Sequence, residues 1–118
     1  MDIDSFESRI AVVTGTANPR GIGFAISRRL AELGCQLVLA DLDGEGAEAR
    51  ATDLRSGGTE AVAVRTDMSD PGSVRQLAAT TYDRFGATHI LILNHVARTG
   101  GPGHGLLSPE PDDWEPPP

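Results

Sequence analysis

The sequence predicts an α/β protein, a doubly wound parallel sheet of about four strands in the order 3-2-1-4. Three observations predict it. Four short apolar runs (IAVVT, QLVLAD, AVAVRT and HILIL) alternate with three longer stretches of helical character. Glycines stand where each helix should stop, at Gly34, Gly57-Gly58 and Gly86. A further group of glycines follows the first run and opens the first helix. The resulting β-α-β-α-β-α-β order is the mark of a doubly wound sheet. Right-handed crossovers then step strands one to three outward and return the chain to the other side of strand one.

Each element has its own signal. Residues 1–8 are a polar lead-in and residues 9–14 the first strand. Residues 21–34 form the first helix, with Ile22, Ala25, Ile26, Leu30 and Leu33 expected on its buried side. Residues 36–41 are a near-continuous apolar run, as in a strand buried on both faces. The second helix, residues 45–56, carries Glu45, Glu48 and Asp53 as a solvated face. Residues 61–66 form the third strand. The third helix starts at Ser69-Asp70-Pro71, with Ser69 as its cap and Pro71 in the first turn. It runs to Phe85, with Val74, Leu77, Ala78, Tyr82 and Phe85 inward. Residues 89–93 form the fourth strand, ending at Asn94. The first two helices should cover one face of the sheet and the third helix the other. Two segments follow: residues 1–97 as one folded unit, and residues 98–118 as a loop or tail dominated by Gly and Pro.

The chemistry lies in residues 10–23, IAVVTGTANPRGIG. Glycines let the backbone approach a diphosphate, and the helix that follows aims its unbonded N–H groups at it. Asp41 closes the next strand, completing a Rossmann-like dinucleotide-binding unit. The plain alternative is a Gly-rich turn, but the strand before it and the helical spacing after it supply the context the pattern needs.

Composition removes other classes. A net charge of -7 argues against nucleic acid as a partner. The acidic start lacks the features of a secretory signal. No apolar run approaches the ~20 residues of a membrane span. The single cysteine, Cys35, excludes an intrachain disulfide and fits a reducing cytoplasm. It reads as a small buried residue, with nothing basic close to it in sequence. The three histidines, His89, His95 and His104, lack the spacing of zinc ligands.

In its glycine loop the chain resembles the short-chain dehydrogenase/reductase family, whose signature is usually TGxxxGxG. Here it reads Thr14-Gly15-Thr16-Ala17-Asn18-Pro19-Arg20-Gly21-Ile22-Gly23, two residues longer between the first two glycines. That spacing resembles the enoyl-reductase branch, and Gly21-Ile22-Gly23 the common branch. Asp41 matches the family's acceptor of the adenosine ribose hydroxyls. Asp67-Met68 matches the pair beside the adenine. Asn94-His95-Val96-Ala97 matches the NNAG segment with only its first Asn kept, and Asp113-Trp114 resembles a later tryptophan motif. The resemblance implies a cofactor site of Gly15, Arg20, Gly21, Ile22, Gly23, Asp41, Leu42, Asp67, Met68 and Asn94.

It also implies what this stretch lacks. In the family the catalytic Ser, the Tyr-x-x-x-Lys pair and a further Asn lie farther along a chain about twice as long. All ten basic residues here are arginine, and the only tyrosine, Tyr82, is followed by Asp83-Arg84-Phe85-Gly86. The general acid–base pair therefore cannot be assembled. The expectation is the cofactor-binding half of an NAD(P)-dependent oxidoreductase of alcohols or ketones, inactive alone, as a truncated product or a fragment.

Asp41 should repel a 2′-phosphate and favour NAD, whereas Arg20 could pair with that phosphate, making NADP the lesser expectation. Asp41 could also be a solvated strand-end carboxylate, and Asp67-Met68 an ordinary strand-to-helix joint. Two other functions stay open: a non-catalytic dinucleotide-binding or interaction module, and a methyltransferase, whose fold also puts glycines after strand one and an acid after strand two. The edge of strand four, with Ile90 and Ile92, is expected to be open to self-association.

Overall fold

The apolar runs pair side by side in the computed structural model, which describes residues 5–94. In chain order the elements are β1 (Ile10–Thr14), α1 (Ile22–Glu32), β2 (Gln36–Asp41), α2 (Gly44–Ser56), β3 (Ala61–Arg65), α3 (Pro71–Phe85) and β4 (Ile90–Ile92). All strand pairs are parallel and the sheet order is β3-β2-β1-β4, so the expected topology holds. Residues 95–118 lie outside the described residues. The expectations for the 98–118 tail, for His95 and His104, and for Asp113-Trp114 therefore lie outside them too.

Register divides the core into two layers. Val13 lies beside Leu39 on one side and Ile92 on the other, and Leu39 beside Ala63. This row packs with Phe24 and Leu30 of α1 and with Ala51 and Leu54 of α2. The adjacent row, Val12 with Val38 and Val62, faces Leu77 and Phe85 of α3. Period-two alternation makes both rows apolar, as a sheet covered on two faces requires. Leu37, Val38, Leu39 and Ala40 are all fully buried, which makes β2 the centre of the core.

Helix ends follow local chemistry. The Asp43 side chain accepts the Gly46 N–H at 3.0 Å and caps α2. Asp70, rather than the expected Ser69, caps α3 by accepting the Gly72 N–H at 3.0 Å. Ser69 instead turns its hydroxyl to Asp67. Gly86, at φ +80, ends α3 in the left-handed conformation.

Three expected faces are corrected. The buried side of α1 is Gly23, Phe24, Ser27 and Leu30, whereas Ile22 is 70% exposed and Leu33 also lies outside. Ser27 enters the core because its hydroxyl donates to the Gly23 carbonyl at 2.8 Å. In α3 the buried residues are Leu77 and Thr81, and Tyr82 and Ala78 face outward. Thr81 satisfies its hydroxyl the same way, on the Leu77 carbonyl at 2.9 Å. A polar side chain can occupy a helix's inner stripe once its hydrogen bond is made locally. On β4, Ile90 and Ile92 pack against the α1 layer, and the exposed residues are Leu91 and, just past the strand, Leu93.

Candidate functional site

The sequence-predicted site residues lie at the carboxyl ends of the strands, and Gly15, Gly23 and Asn94 among them meet where the strand order reverses between β1 and β4. Thr14 ends β1, and Gly15 turns the chain at φ +68, its N–H donating to the Ala40 carbonyl at 2.9 Å. A Cβ on Gly15 would overlap the Asn94 carbonyl. A Cβ on Gly23 would overlap the Gly15 carbonyl and sit 2.8 Å from Asn94 Nδ2. The start of α1, the first turn and the end of β4 therefore meet through two missing side chains. Asn94 binds the junction from the other side. Its N–H donates to Thr14 Oγ1 at 2.8 Å and its Nδ2 to the Gly15 carbonyl at 3.4 Å.

Between these glycines the loop is tied rather than loose. Thr16, fully buried, donates its hydroxyl to the Ala40 carbonyl at 3.3 Å. Asn18 to Gly21 closes as a turn: the Gly21 N–H donates to the Asn18 carbonyl at 3.0 Å, and the Arg20 N–H to Asn18 Oδ1 at 2.9 Å. The Arg20 side chain is exposed. Gly21 then stands at the head of α1 in extended backbone with no side-chain cap. The first-turn amides of α1, whose carbonyl partners the helix cannot supply, carry the positive end of its dipole beside the Gly15 turn.

Asp41 lies one strand over and is joined to this loop. Its Oδ2 accepts the Ala17 N–H and its Oδ1 the Asp43 N–H, both at 2.9 Å. Each carboxylate oxygen retains a second lone pair for another donor. Leu42 is 57% exposed beside it.

Asp67 and Met68 follow β3. The Asp67 carboxylate accepts the Ser69 hydroxyl at 2.6 Å and the Ser69 N–H at 2.9 Å. The Ser69 hydroxyl, then its amide, with Arg65 nearby, hold this carboxyl below the ordinary aspartate range. Met68 is half-buried against the α3 layer. The structure thus packs Gly15, Gly23 and Asn94 together, ties Asp41 to the same loop through Ala17, and closes Gly21 on Asn18. Asp67 and Met68 stand apart at the end of β3, and the Arg20, Ile22 and Leu42 side chains stand in solvent.

These residues fit a dinucleotide. The missing side chains of Gly15 and Gly23 let the head of α1 close on the ends of β1 and β4, the uncapped amides there suit a diphosphate, and the carboxylate one strand away suits a diol. Sequence reasoning missed Thr16, Ala17 and Arg50. Arg50 reaches the loop from α2, its Nη1 3.4 Å from the Ala17 carbonyl. Nothing in its polar helix distinguishes it from a solvated charge.

Other candidates have structural tasks. His89 Nδ1 accepts the Ile10 N–H at 2.9 Å and so pins the start of β1. Among the described residues no group of His, Cys, Asp and Glu could hold a metal ion. Cys35 is buried, donating to the Phe6 carbonyl at 3.4 Å, and burial pushes its thiol up. No helix among the described residues is long and apolar enough to cross a membrane.

Known proteins resemble this chain in sequence and fold. The sequence model of a family described as enoyl-(acyl carrier protein) reductase matches residues 15–115. The 1-deoxy-11-beta-hydroxypentalenate dehydrogenase of Streptomyces exfoliatus is 39% identical over 100 residues, 85% of this chain and 35% of that protein. The cis-4-hydroxycyclohexanecarboxylate dehydrogenase of Sinomonas cyclohexanicum is 41% identical over 104 residues, 87% of this chain and 41% of that protein. Among solved structures, a short chain dehydrogenase/reductase from Burkholderia phymatum in complex with NAD superposes with a TM-score of 0.68 at 42% identity. That match covers 74% of this chain and 30% of the other. A hydroxysteroid dehydrogenase from Escherichia coli gives a TM-score of 0.73 at 28% identity, covering 82% of this chain and 40% of that one. The chain spans well under half the length of the curated relatives it matches.

Proposed function

This chain belongs to the short-chain dehydrogenase/reductase family, and from that premise we propose that it is the dinucleotide-binding part of an oxidoreductase acting on alcohols or ketones. The observation that carries the reading is the junction of Gly15, Gly23 and Asn94, which seats the uncapped start of α1 against the end of β1 and is joined through Ala17 to Asp41. In it, main-chain amides at the head of α1 hold the diphosphate. Asp41 takes the adenosine ribose hydroxyls on its remaining lone pairs. Ile22 and Leu42 give the cofactor apolar contact at the rim, and Asp67-Met68 flank the adenine. Arg20 stands where a phosphate can reach it. A nicotinamide cofactor, when bound, supplies the hydride acceptor or donor.

Proton transfer to the substrate oxygen is not provided by these residues. The stretch has no lysine, and Tyr82 is 68% exposed on α3. The site accounts for binding and orientation, and hydride transfer by the 118-residue chain alone is not expected. We assign a cytoplasmic location on the same reading, with which a single buried cysteine is compatible.

Calorimetric titration tests this reading. NAD is expected to bind more tightly than NADP, because the Asp41 carboxylate repels a 2′-phosphate. S-adenosylmethionine, which the methyltransferase alternative requires, is expected not to bind. Equal affinity for NAD and NADP would remove the role given to Asp41, and no binding of either would remove the reading. Turnover by the chain alone would show that the proton-transfer group had been misjudged.

One observation favours an interaction role beside this one. Among the described residues β4 is an edge strand, with Leu91 on it 57% exposed and Leu93 just beyond it 51% exposed. An apolar edge with unpaired backbone groups invites another strand. Sedimentation velocity is expected to show concentration-dependent association, lost when Leu91→Lys and Leu93→Lys are combined. A monomer at every concentration would refute self-association at this edge.

A further inference from the structure

On the dinucleotide reading above, we propose that Arg50 is a positioning residue that holds the lengthened glycine loop at Ala17 in the shape that receives the cofactor. Ala17 is gripped on three sides. Its N–H donates to Asp41 Oδ2 at 2.9 Å, and its carbonyl accepts from Arg50 Nη1 at 3.4 Å. Its methyl group faces Gly46, where an added Cβ would come within 2.7 Å of it. The Arg50 contact is thus part of a small latch between α2 and the loop.

The loop needs a latch. Residues 16–20 separate Gly15 from Gly21, and Ala17 is the last of them before the Asn18 to Gly21 turn. Without a hold there, the turn could swing as a unit about Ala17. Such a swing would move the Ala17 N–H off Asp41, the carboxylate assigned to the ribose. Arg50 therefore acts on the ribose site through the loop, without touching the cofactor.

The Arg50 side chain is built for that task. It is only 15% exposed although its helix is largely polar. Its guanidinium carbon lies 5.5 Å from the centroid of the buried Phe24 ring on α1. Its Nε is 3.0 Å from Asp53 Oδ2, an ion-pair contact without hydrogen-bond alignment. A buried cation is costly unless its environment compensates. Here the compensation comes from the aromatic face, one half-exposed carboxylate and the loop carbonyl. A flat guanidinium can stack and donate at once, which an ammonium cannot.

The test compares wild type with Arg50→Met and Arg50→Lys in two readouts, NAD affinity by calorimetry and amide hydrogen exchange by NMR. In Arg50→Met the Ala17 amide is expected to exchange faster while those of Val12 and Leu39 in the sheet keep their wild-type protection. The NAD dissociation constant should rise about fivefold, in proportion to the lost population of the binding-competent loop. Arg50→Lys should recover little of either. Unchanged Ala17 exchange and unchanged affinity in Arg50→Met would overturn the proposal. So would faster exchange spread evenly over the sheet, which marks a merely structural role. If the wild type fails to bind NAD, the dinucleotide reading falls, and the exchange at Ala17 alone then decides whether Arg50 holds the loop.

Discussion

Gly15→Ala is expected to destabilise the fold by about 3 kcal/mol or more, a large share of the roughly 5–15 kcal/mol typical of a domain. Two costs add. At φ +68 an L-residue loses about 1–2 kcal/mol from its Cβ alone. The Cβ would also overlap the Asn94 carbonyl, forcing the end of β4 from β1, and overpacking of this kind costs typically 1–3 kcal/mol. Gly21→Ala is the control. Gly21 has φ -83, and its added Cβ would meet Asn18 Cβ at 3.2 Å. That contact needs only a shift in an exposed turn, so the change should stay within about 1 kcal/mol. Urea denaturation of both variants decides the matter. Equal losses would mean that the approach of Gly15 to Asn94 has no special energetic weight.

The topology was legible because it depends on coarse features. Four apolar runs, their alternation with helices and the handedness of crossovers leave little freedom in strand order. The positions of Gly15 and Asp41 at the ends of β1 and β2 were legible on the same grounds, despite the two extra residues in the glycine loop. Helix faces were less legible because they depend on a single close approach. Once Gly23 must sit against Gly15, α1 is rotated so that Phe24, Ser27 and Leu30 point inward, and Ile22 turns out despite being apolar. Counting apolar residues misses this, since Ser27 and Thr81 hide their hydroxyls on carbonyls one turn back.

Arg50 was invisible for a related reason. Its partners, Phe24 and Ala17, are 26 and 33 positions away, the differences between 50 and 24 and between 50 and 17. No local pattern reports such contacts. Cys35 shows the same limit in reverse. Nothing basic is near it in sequence, yet Arg9 lies close enough to pull its thiol down against the larger upward push of burial.

Asp41→Asn is expected to cost about 1 kcal/mol of stability although it replaces a single oxygen by an NH2 group. Both carboxylate oxygens face donors, the Ala17 N–H and the Asp43 N–H. An amide offers one acceptor and one donor group. Whichever way Asn turns, its NH2 confronts one of these N–H groups and leaves it to water. Turned from Ala17, it loosens the glycine loop. Turned from Asp43, it disturbs the residue whose carboxylate caps α2. Under the dinucleotide reading, the substitution also removes the charge that excludes a 2′-phosphate, while Arg20 stays exposed on the loop. The NAD dissociation constant should rise about tenfold, matching ~1.4 kcal/mol for one lost charge-assisted bond. NADP should suffer less, so that the preference narrows or reverses. Urea denaturation and calorimetry on one preparation separate the two effects. A variant that loses stability but keeps its NAD preference would leave Asp41 as a purely structural acceptor, and one that keeps both would remove the two-donor geometry as well.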